Sequence, residues 1–175
     1  MPISADHDGM ADDFAQIYRT TFPVLVRFLY RKLWDVDRAE ELAQEAFARA
    51  AQRRPKKLRA WVFVVASNLA RDLVRQEVRR RRHLVLLKSE PQSEPARPDD
   101  LAERSEASAH VRAALDTLTP REREVLLLWD AGHSYGEIAQ HTGLAPGAIG
   151  TTLARARRRL TEAYEELGGQ RAAHG

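Results

Sequence analysis

The sequence predicts an all-α protein made of two small helical domains joined by a flexible linker. Apolar residues recur at steps of three and four over most of the chain, and helix-capping signals precede several of these segments. A proline-containing acidic segment interrupts the pattern near the middle. Hydrophobic residues make up 43% and charged residues 30% of the 175 residues, as is typical of folded proteins.

Several classes of protein are disfavoured at once. The chain has no cysteine, its six histidines show no metal-ligand spacing, and no glycine-rich phosphate loop or nucleophile motif is present. We therefore expect no enzyme activity, no metal and no cofactor. The acidic N-terminus, residues 1–12, is expected to be disordered and not a signal peptide. The longest apolar stretch, residues 61–66, is too short to insert into a membrane, so we expect a cytoplasmic protein.

The first predicted domain covers residues 13–87. Its helices are expected at 14–34, 39–51 and 58–82, with Pro23 kinking or breaking the first near Phe22. The third helix is predicted to bury an apolar stripe of Trp61, Val64, Val65, Leu69, Leu73 and Val74.

The region from Arg53 to Arg82 is strongly basic. It contains eleven Lys and Arg residues against two acids, although the net charge of the whole chain is only +3. This excess predicts a surface that faces phosphates, and the alternative is a solvated helix face.

Residues 88–107 are predicted to form the flexible linker. They contain three prolines, six acids and three bases, and too little apolar surface to offset the entropy of ordering. The second domain is expected at 108–168, and residues 169–175 are expected to be a disordered tail.

The second domain contains two capping boxes. The first, Thr119 to Glu122, has proline at the first helical position, and the second runs from Ser134 to Glu137. Gly143 predicts a tight turn before a helix that begins near Pro146. The helix after Thr119 is expected to bury Val125, Leu126, Leu128 and Trp129, and the last helix to direct Ile149, Leu153 and Leu160 inward and Arg155, Arg157, Arg158 and Arg159 largely outward.

Two short helices separated by a glycine turn, the second rich in arginine, predict a helix-turn-helix. The N-terminal residues of the second helix would enter the major groove, and the arginines beyond would contact phosphates. The alternative is an ordinary three-helix bundle with a basic rim. The predicted DNA-binding residues are Pro146, Gly147, Gly150, Thr151, Thr152, Arg155, Arg157 and Arg158.

Several short segments together resemble the sigma-70 family. Residues 118–125 and 135–139, followed by the helix from Gly147 to Leu160, resemble sigma domain 4. Residues 39–47, and residues 59–61 followed by 66–72, resemble sigma domain 2. Two such domains with only a linker between them resemble the extracytoplasmic-function (ECF) group. The resemblance implies that the protein directs core RNA polymerase to promoters and promotes melting of the −10 element.

The resemblance also implies partners and residue roles. The polymerase would be contacted at its β′ clamp and β flap, promoter DNA at its −10 and −35 elements, and an anti-sigma factor is a further conceivable partner. The helix-turn-helix residues named above would bind the −35 element.

The β′-contacting residues would be Glu41, Gln44, Glu45 and Phe47, with a place in the core as the alternative for Phe47. The −10 element would be bound by Arg53, Arg54, Lys56, Lys57, Trp61, Asn68, Arg71, Arg75 and Arg79, with a place in the core favoured over base stacking for Trp61.

Two positions depart from the family pattern. Besides an enzyme, which the absence of catalytic motifs disfavours, two rival functions stay open. Many sigma relatives have Lys or Arg where this chain has Gly150 and Thr152, so −35 recognition is expected to be unusual or to depend on DNA shape. One rival function is a helix-turn-helix regulator that does not bind core polymerase. The other is an adaptor that occupies polymerase without initiating transcription.

Overall fold

A computed structural model describes the backbone of residues 5–87 and 106–172 and the side chains of residues 13–83 and 108–168. Within these ranges the chain forms seven α-helices and no β-strand, which confirms the all-α prediction. Most of the predicted linker, residues 88–105, lies outside the described residues. In the part of the chain that is described, no helix is long and apolar enough to cross a membrane.

The described residues divide into two compact units between Arg80 and Arg81. The helices, in chain order, are α1 (Ala5–Leu33), α2 (Val36–Arg53), α3 (Leu58–Leu87), α4 (Glu106–Asp116), α5 (Pro120–Asp130), α6 (Tyr135–Thr142) and α7 (Pro146–Ala172). The division falls inside α3, several residues before the predicted end of the first domain at residue 87.

Both predicted disordered ends are partly helical. Helix α1 already begins at Ala5, and α7 continues to Ala172. Residues 5–12 are rich in alanine and aspartate, and alanine has the highest helix propensity of all residues. The remaining residues of these two segments, 1–4 and 173–175, lie outside the described range.

The core of the first unit forms where α1, α2 and α3 contribute apolar side chains. The rings of Phe28 and Phe63 meet edge to face, with centroids 5.2 Å apart. Helix α2 contributes mainly small side chains, which let a neighbouring helix approach closely. The buried residues of the three helices are Leu25, Phe28, Leu29, Ala39, Ala43, Ala46, Phe47, Ala50, Leu58, Val62, Phe63, Ala66 and Ala70.

Pro23 does not break α1. The helix runs through it, although proline cannot donate a hydrogen bond to the carbonyl of Arg19 four residues earlier. Both Pro23 and Arg19 are exposed, so water can satisfy that carbonyl. Of the two alternatives predicted near Phe22, the break is therefore wrong, and the kink stays a prediction.

The buried face of α3 also differs from the prediction. Val64 and Val74 were expected in the core but are 39% and 46% exposed, whereas Phe63 and Ala66 are fully buried. Residues 61–66 are apolar without interruption, so any side of this turn could have faced inward. The buried side of α3 is the one that continues into small residues, namely Ala66, Ser67 and Ala70.

Local capping signals set the starts of α5 and α6 and the end of α6 in the second unit. Both predicted capping boxes form, at Thr119 with Glu122 and at Ser134 with Glu137. Gly143 ends α6 in the left-handed conformation, with φ of 70°. Helices α5, α6 and α7 then share a core that includes Val125, Leu128, Ile138, Ile149, Leu153 and Ala156.

Candidate polymerase and DNA interfaces

The predicted polymerase surface is an exposed acidic face of α2. Glu41, Gln44 and Glu45 are exposed and lie three and four residues apart, on one side of the helix. Arg38 donates to Glu41 at 2.8 Å, and Arg49 donates to Glu45 at 2.7 Å. The bond to Glu41 raises the pKa of Arg38. Such solvent-exposed ion pairs contribute little stability, so a basic partner could replace them.

Phe47 lies beneath this face rather than on it. It is 3% exposed, and its ring contacts those of Tyr18, Phe14 and Phe22 at centroid distances of 4.9, 6.2 and 6.1 Å. The structure thus supports the alternative given for Phe47, a place in the core. A direct contact between its ring and polymerase would require unpacking this cluster.

The predicted −10 residues on α3 lie on one face. Asn68, Arg75 and Arg79 follow Trp61 at successive steps of seven, seven and four residues. This spacing places these four side chains on the side of α3 opposite the buried Ala66 and Ala70. Asn68, the arginines and the nearby Asp72 are exposed, and Trp61 is half-buried. The Asn68 side-chain carbonyl accepts from Arg71 at 3.2 Å, which orients the amide.

The basic loop between α2 and α3 adds charge near the start of this face. Arg53 is the last residue of α2, Arg54 caps the helix, and Lys56 and Lys57 precede Leu58; all four basic side chains are exposed. Arg54 has φ of 47° and ψ of 58°, the left-handed region that favours glycine.

Replacing Arg54 with glycine should make the protein more stable but weaken its binding to DNA. Relief of the left-handed conformation should raise the free energy of unfolding by about 1 kcal/mol, while loss of the guanidinium weakens binding to single-stranded −10 DNA. Urea denaturation and DNA titration of the full chain would measure the two effects. Arg53→Gly, a helical position, is the control and should lower stability; a loss of stability in Arg54→Gly would contradict the prediction.

The N-terminal half of α7 presents small residues outward. Pro146, Gly147 and Thr151 are exposed, and a Cβ added at Gly147 would meet nothing within 4 Å beyond its own helix turn. The hydroxyls of Thr151 and Thr152 both donate to the Ala148 carbonyl, at 3.0 and 2.7 Å. Their oxygens therefore remain available mainly as acceptors, and Thr152 is only partly exposed.

Gly150 is not an open position, because it faces the Tyr135 ring of α6. A Cβ at this site would lie 3.6 Å from Tyr135 Cε2, an ordinary van der Waals distance. Gly150→Ala should therefore raise the free energy of unfolding by about 0.5–1 kcal/mol through helix propensity. Gly143→Ala is the matched control and should lower it, because Gly143 has positive φ. If thermal denaturation showed the same change in stability for Gly150→Ala and Gly143→Ala, the prediction for Gly150 would be wrong.

The arginines of α7 divide into different environments. Arg155 and Arg158 are exposed, and Arg158 Nε lies 3.7 Å from Glu162. Arg157 lies over the ring of Trp129, with Cζ 3.8 Å from the ring centroid. Arg159 donates to the buried Glu122 at 2.8 Å, so it is a tether between α7 and α5 rather than a side chain directed freely outward.

Glu122 connects the start of α5 to α7. Its Oε2 accepts from the Thr119 backbone N–H at 3.0 Å, from the Thr119 hydroxyl at 2.9 Å and from Arg159. These bonds, the Thr119 N–H first, hold the pKa of the Glu122 carboxyl below its usual value despite burial. A second link joins α6 to α5, where His141 Nε2 lies 3.0 Å from Glu124 Oε1.

Trp129 was predicted to be buried but is 42% exposed. The four residues before it, Val125 to Leu128, are all buried, and since they span most of a helical turn, the apolar pattern alone does not show on which side Trp129 lies. Its contact with Arg157 joins residues 28 positions apart, so no local pattern could have revealed it.

Comparison with known proteins agrees with this architecture. The Sigma-70 region 2 family matches residues 17–80, and the Sigma-70 region 4 family matches residues 109–160. The chain is 31% identical over 171 residues to the RNA polymerase sigma factor CarQ of Myxococcus xanthus, covering 91% of this chain and 94% of CarQ. It is 26% identical over 167 residues to the RNA polymerase sigma factor YlaC of Bacillus subtilis, covering 89% of this chain and 96% of YlaC.

A relative from the ECF group also matches. The ECF RNA polymerase sigma factor SigE of Mycolicibacterium smegmatis is 31% identical over 147 residues, covering 78% of this chain and 55% of SigE, so the match spans about half of that protein. Among solved structures, the sigma factor RpoE of Bartonella quintana, in complex with the anti-sigma factor NepR, has a TM-score of 0.62 and 27% identity, covering 87% of this chain and 97% of RpoE.

Two helical units that match sigma regions 2 and 4 in that order define a sigma-70-type transcription initiation factor. The chain belongs to the ECF sigma factors of the sigma-70 family.

Proposed function

We propose that this chain binds core RNA polymerase through α2, promotes opening of the −10 element through α3 and its preceding loop, and holds the −35 element through α7. The observation that carries the proposal is that both sigma regions occur in one chain. A helix-turn-helix regulator that does not bind polymerase would leave the region 2 match unexplained.

Polymerase binding is assigned to Glu41, Gln44 and Glu45. These side chains are exposed on one face of α2, and the carboxylates of the two glutamates suit a basic partner such as the β′ clamp. Phe47 would act indirectly, because its packing against the α1 aromatic rings fixes the position of this face. The β flap would be contacted by the second unit.

Promoter opening is assigned to the exposed face of α3 and to the loop Arg53–Lys57. A flipped base costs a few kcal/mol to unstack, which a shaped and basic surface can offset. Asn68, whose amide is oriented by Arg71, offers a donor and an acceptor to a base edge. Half-buried Trp61 has an exposed portion next to this surface, and Arg75 and Arg79 would contact the backbone.

Binding of the −35 element is assigned to the exposed face of α7. Pro146, Gly147 and Thr151 permit close approach to the groove, and Arg155, Arg157 and Arg158 supply charge to phosphates. Gly150 faces Tyr135 and Thr152 is partly buried, so both contribute less directly to DNA binding. Neither position carries a basic side chain that could read guanine, which favours recognition through DNA shape.

Catalysis in this proposal belongs to the polymerase, and the protein acts where that polymerase is, in the cytoplasm. An anti-sigma factor is a further proposed partner. Support comes from RpoE of Bartonella quintana, which resembles this chain and was solved with the anti-sigma factor NepR.

Run-off transcription tests the proposal. Purified core polymerase would transcribe fragmented genomic DNA with and without the chain, and 5′ ends would be mapped. New start sites with paired upstream elements are expected. Polymerase binding without new starts would indicate an adaptor, and folded protein that neither binds polymerase nor creates starts would leave the helix-turn-helix regulator as the better account.

A further inference from the structure

Trp129 and Arg157 form a contact that neither the core nor the capping of the second unit requires. Trp129 lies near the end of α5 and is 42% exposed, and Arg157 lies on the arginine-rich part of α7. The guanidinium carbon is 3.8 Å from the centre of the Trp129 ring. At this distance the planar guanidinium rests against the face of the ring, the preferred side for a cation.

This contact leaves the hydrogen-bonding capacity of Arg157 intact. The five N–H donors of a guanidinium lie in its plane, so a ring against its face does not use them. A tryptophan also leaves the positive charge unneutralised, in contrast to the carboxylate of Glu122, which engages Arg159 at 2.8 Å. Arg157 is thus held in place and still able to form charge-assisted bonds with an anion.

We propose that Trp129 is a positioning residue for −35 binding, and that Arg157 contacts a DNA phosphate as a guanidinium stacked on the Trp129 ring. The inference rests on the proposed function of α7. Arginine loses much rotamer freedom when it binds an anion, and stacking removes part of that freedom before DNA arrives. The ring therefore increases affinity without touching DNA.

The test uses the full chain with core polymerase and promoters obtained by start-site mapping. Affinity would be measured on each promoter and on the same DNA lacking its −35 element. Trp129→Leu should weaken binding to the complete promoter about two- to fivefold, and Trp129→Phe less, because phenylalanine retains a ring face. Neither substitution should change binding to the shortened DNA, which also reports that polymerase is still bound.

A double-mutant cycle separates positioning from a merely structural role. Arg157→Gln should reduce the slope of log affinity against log salt by about one unit, as for one lost phosphate contact. In the Arg157→Gln background, Trp129→Leu should have no further effect. Tyr164→Leu is the control: Tyr164 is a similarly exposed aromatic residue on α7 that contacts the ring of His110, and its loss should leave affinity unchanged.

Two outcomes would overturn the inference while the proposed function stands. One is a Trp129→Leu protein that binds the complete promoter as the wild type does. The other is a Trp129→Leu effect that is equally large without Arg157. If the wild-type chain directs no initiation at all, the proposed function fails, and this inference fails with it.

Discussion

Replacing Glu122 with alanine should lower the free energy of unfolding of the second unit by about 2–3 kcal/mol. The change removes a capping interaction, worth about 1 kcal/mol, and the partner of Arg159 on another helix. It also leaves the Thr119 N–H without its acceptor in a part-buried site. Because Arg159 is 44% exposed in the folded protein, water can reach it, which keeps the loss below that of a fully buried pair.

The chain provides a matched control for this substitution. Glu137 closes the second capping box with the same two bonds, from the backbone N–H and the hydroxyl of Ser134, each at 2.8 Å. It is more exposed than Glu122, and both of these bonds stay within the start of its own helix. Glu137→Ala should therefore cost about 1 kcal/mol in urea denaturation. Equal losses for the two variants would show that the link from Glu122 to Arg159 adds nothing.

Glu122 should also make stability depend on pH. Because its folded pKa is below the ordinary value of 4.5, its contribution is fully present above that value and is lost as pH falls through the folded pKa. Glu122→Gln should be less stable than the wild type at pH 7, and the difference should shrink on acidification. A difference that stays constant from pH 7 to pH 3 would contradict this assignment.

Features set by adjacent residues could be predicted from the sequence. The two capping boxes and the turn at Gly143 depend on side chains within three or four positions of the helix ends, so their form follows from the local order of residues. The exposed position of Glu41, Gln44 and Glu45 follows in the same way, because alanines on the other side of α2 leave only one face for the core.

Features set by distant residues could be predicted only in part. For Phe47 the sequence left both polymerase contact and a place in the core open, and its packing against three rings of α1 is what favours the core. The role of Arg159 depends on a carboxylate 37 positions earlier and could not be predicted. On α3 the apolar periodicity does not identify the buried side of the helix. Residues 61–66 are all apolar, so apolar side chains lie on every side of this turn, and packing decides which of them are buried. The same applies to Trp129, whose partner Arg157 lies on another helix.

Reversing the charge of the α2 face should greatly weaken polymerase binding. The double variant Glu41→Lys with Glu45→Lys places lysines where the proposed function requires carboxylates facing a basic clamp, and like charges across an interface are strongly unfavourable. We expect affinity for core polymerase to fall about tenfold or more, measured by titration of labelled chain. The fold should persist, because both side chains are exposed and their bonds to Arg38 and Arg49 are solvent-screened.

A control with the same change in net charge isolates the effect of position. Glu165 and Glu166 are exposed acids on α7, and reversing both changes the charge of the chain by the same amount in the other unit. That variant should lose much less affinity for core polymerase than the α2 double variant, because the α2 face is the proposed contact with the β′ clamp. If both double variants lose binding equally, net charge rather than the α2 face determines affinity. If neither loses binding, polymerase docking lies elsewhere on the chain, and Gln44 with its neighbours would be an ordinary solvated helix surface.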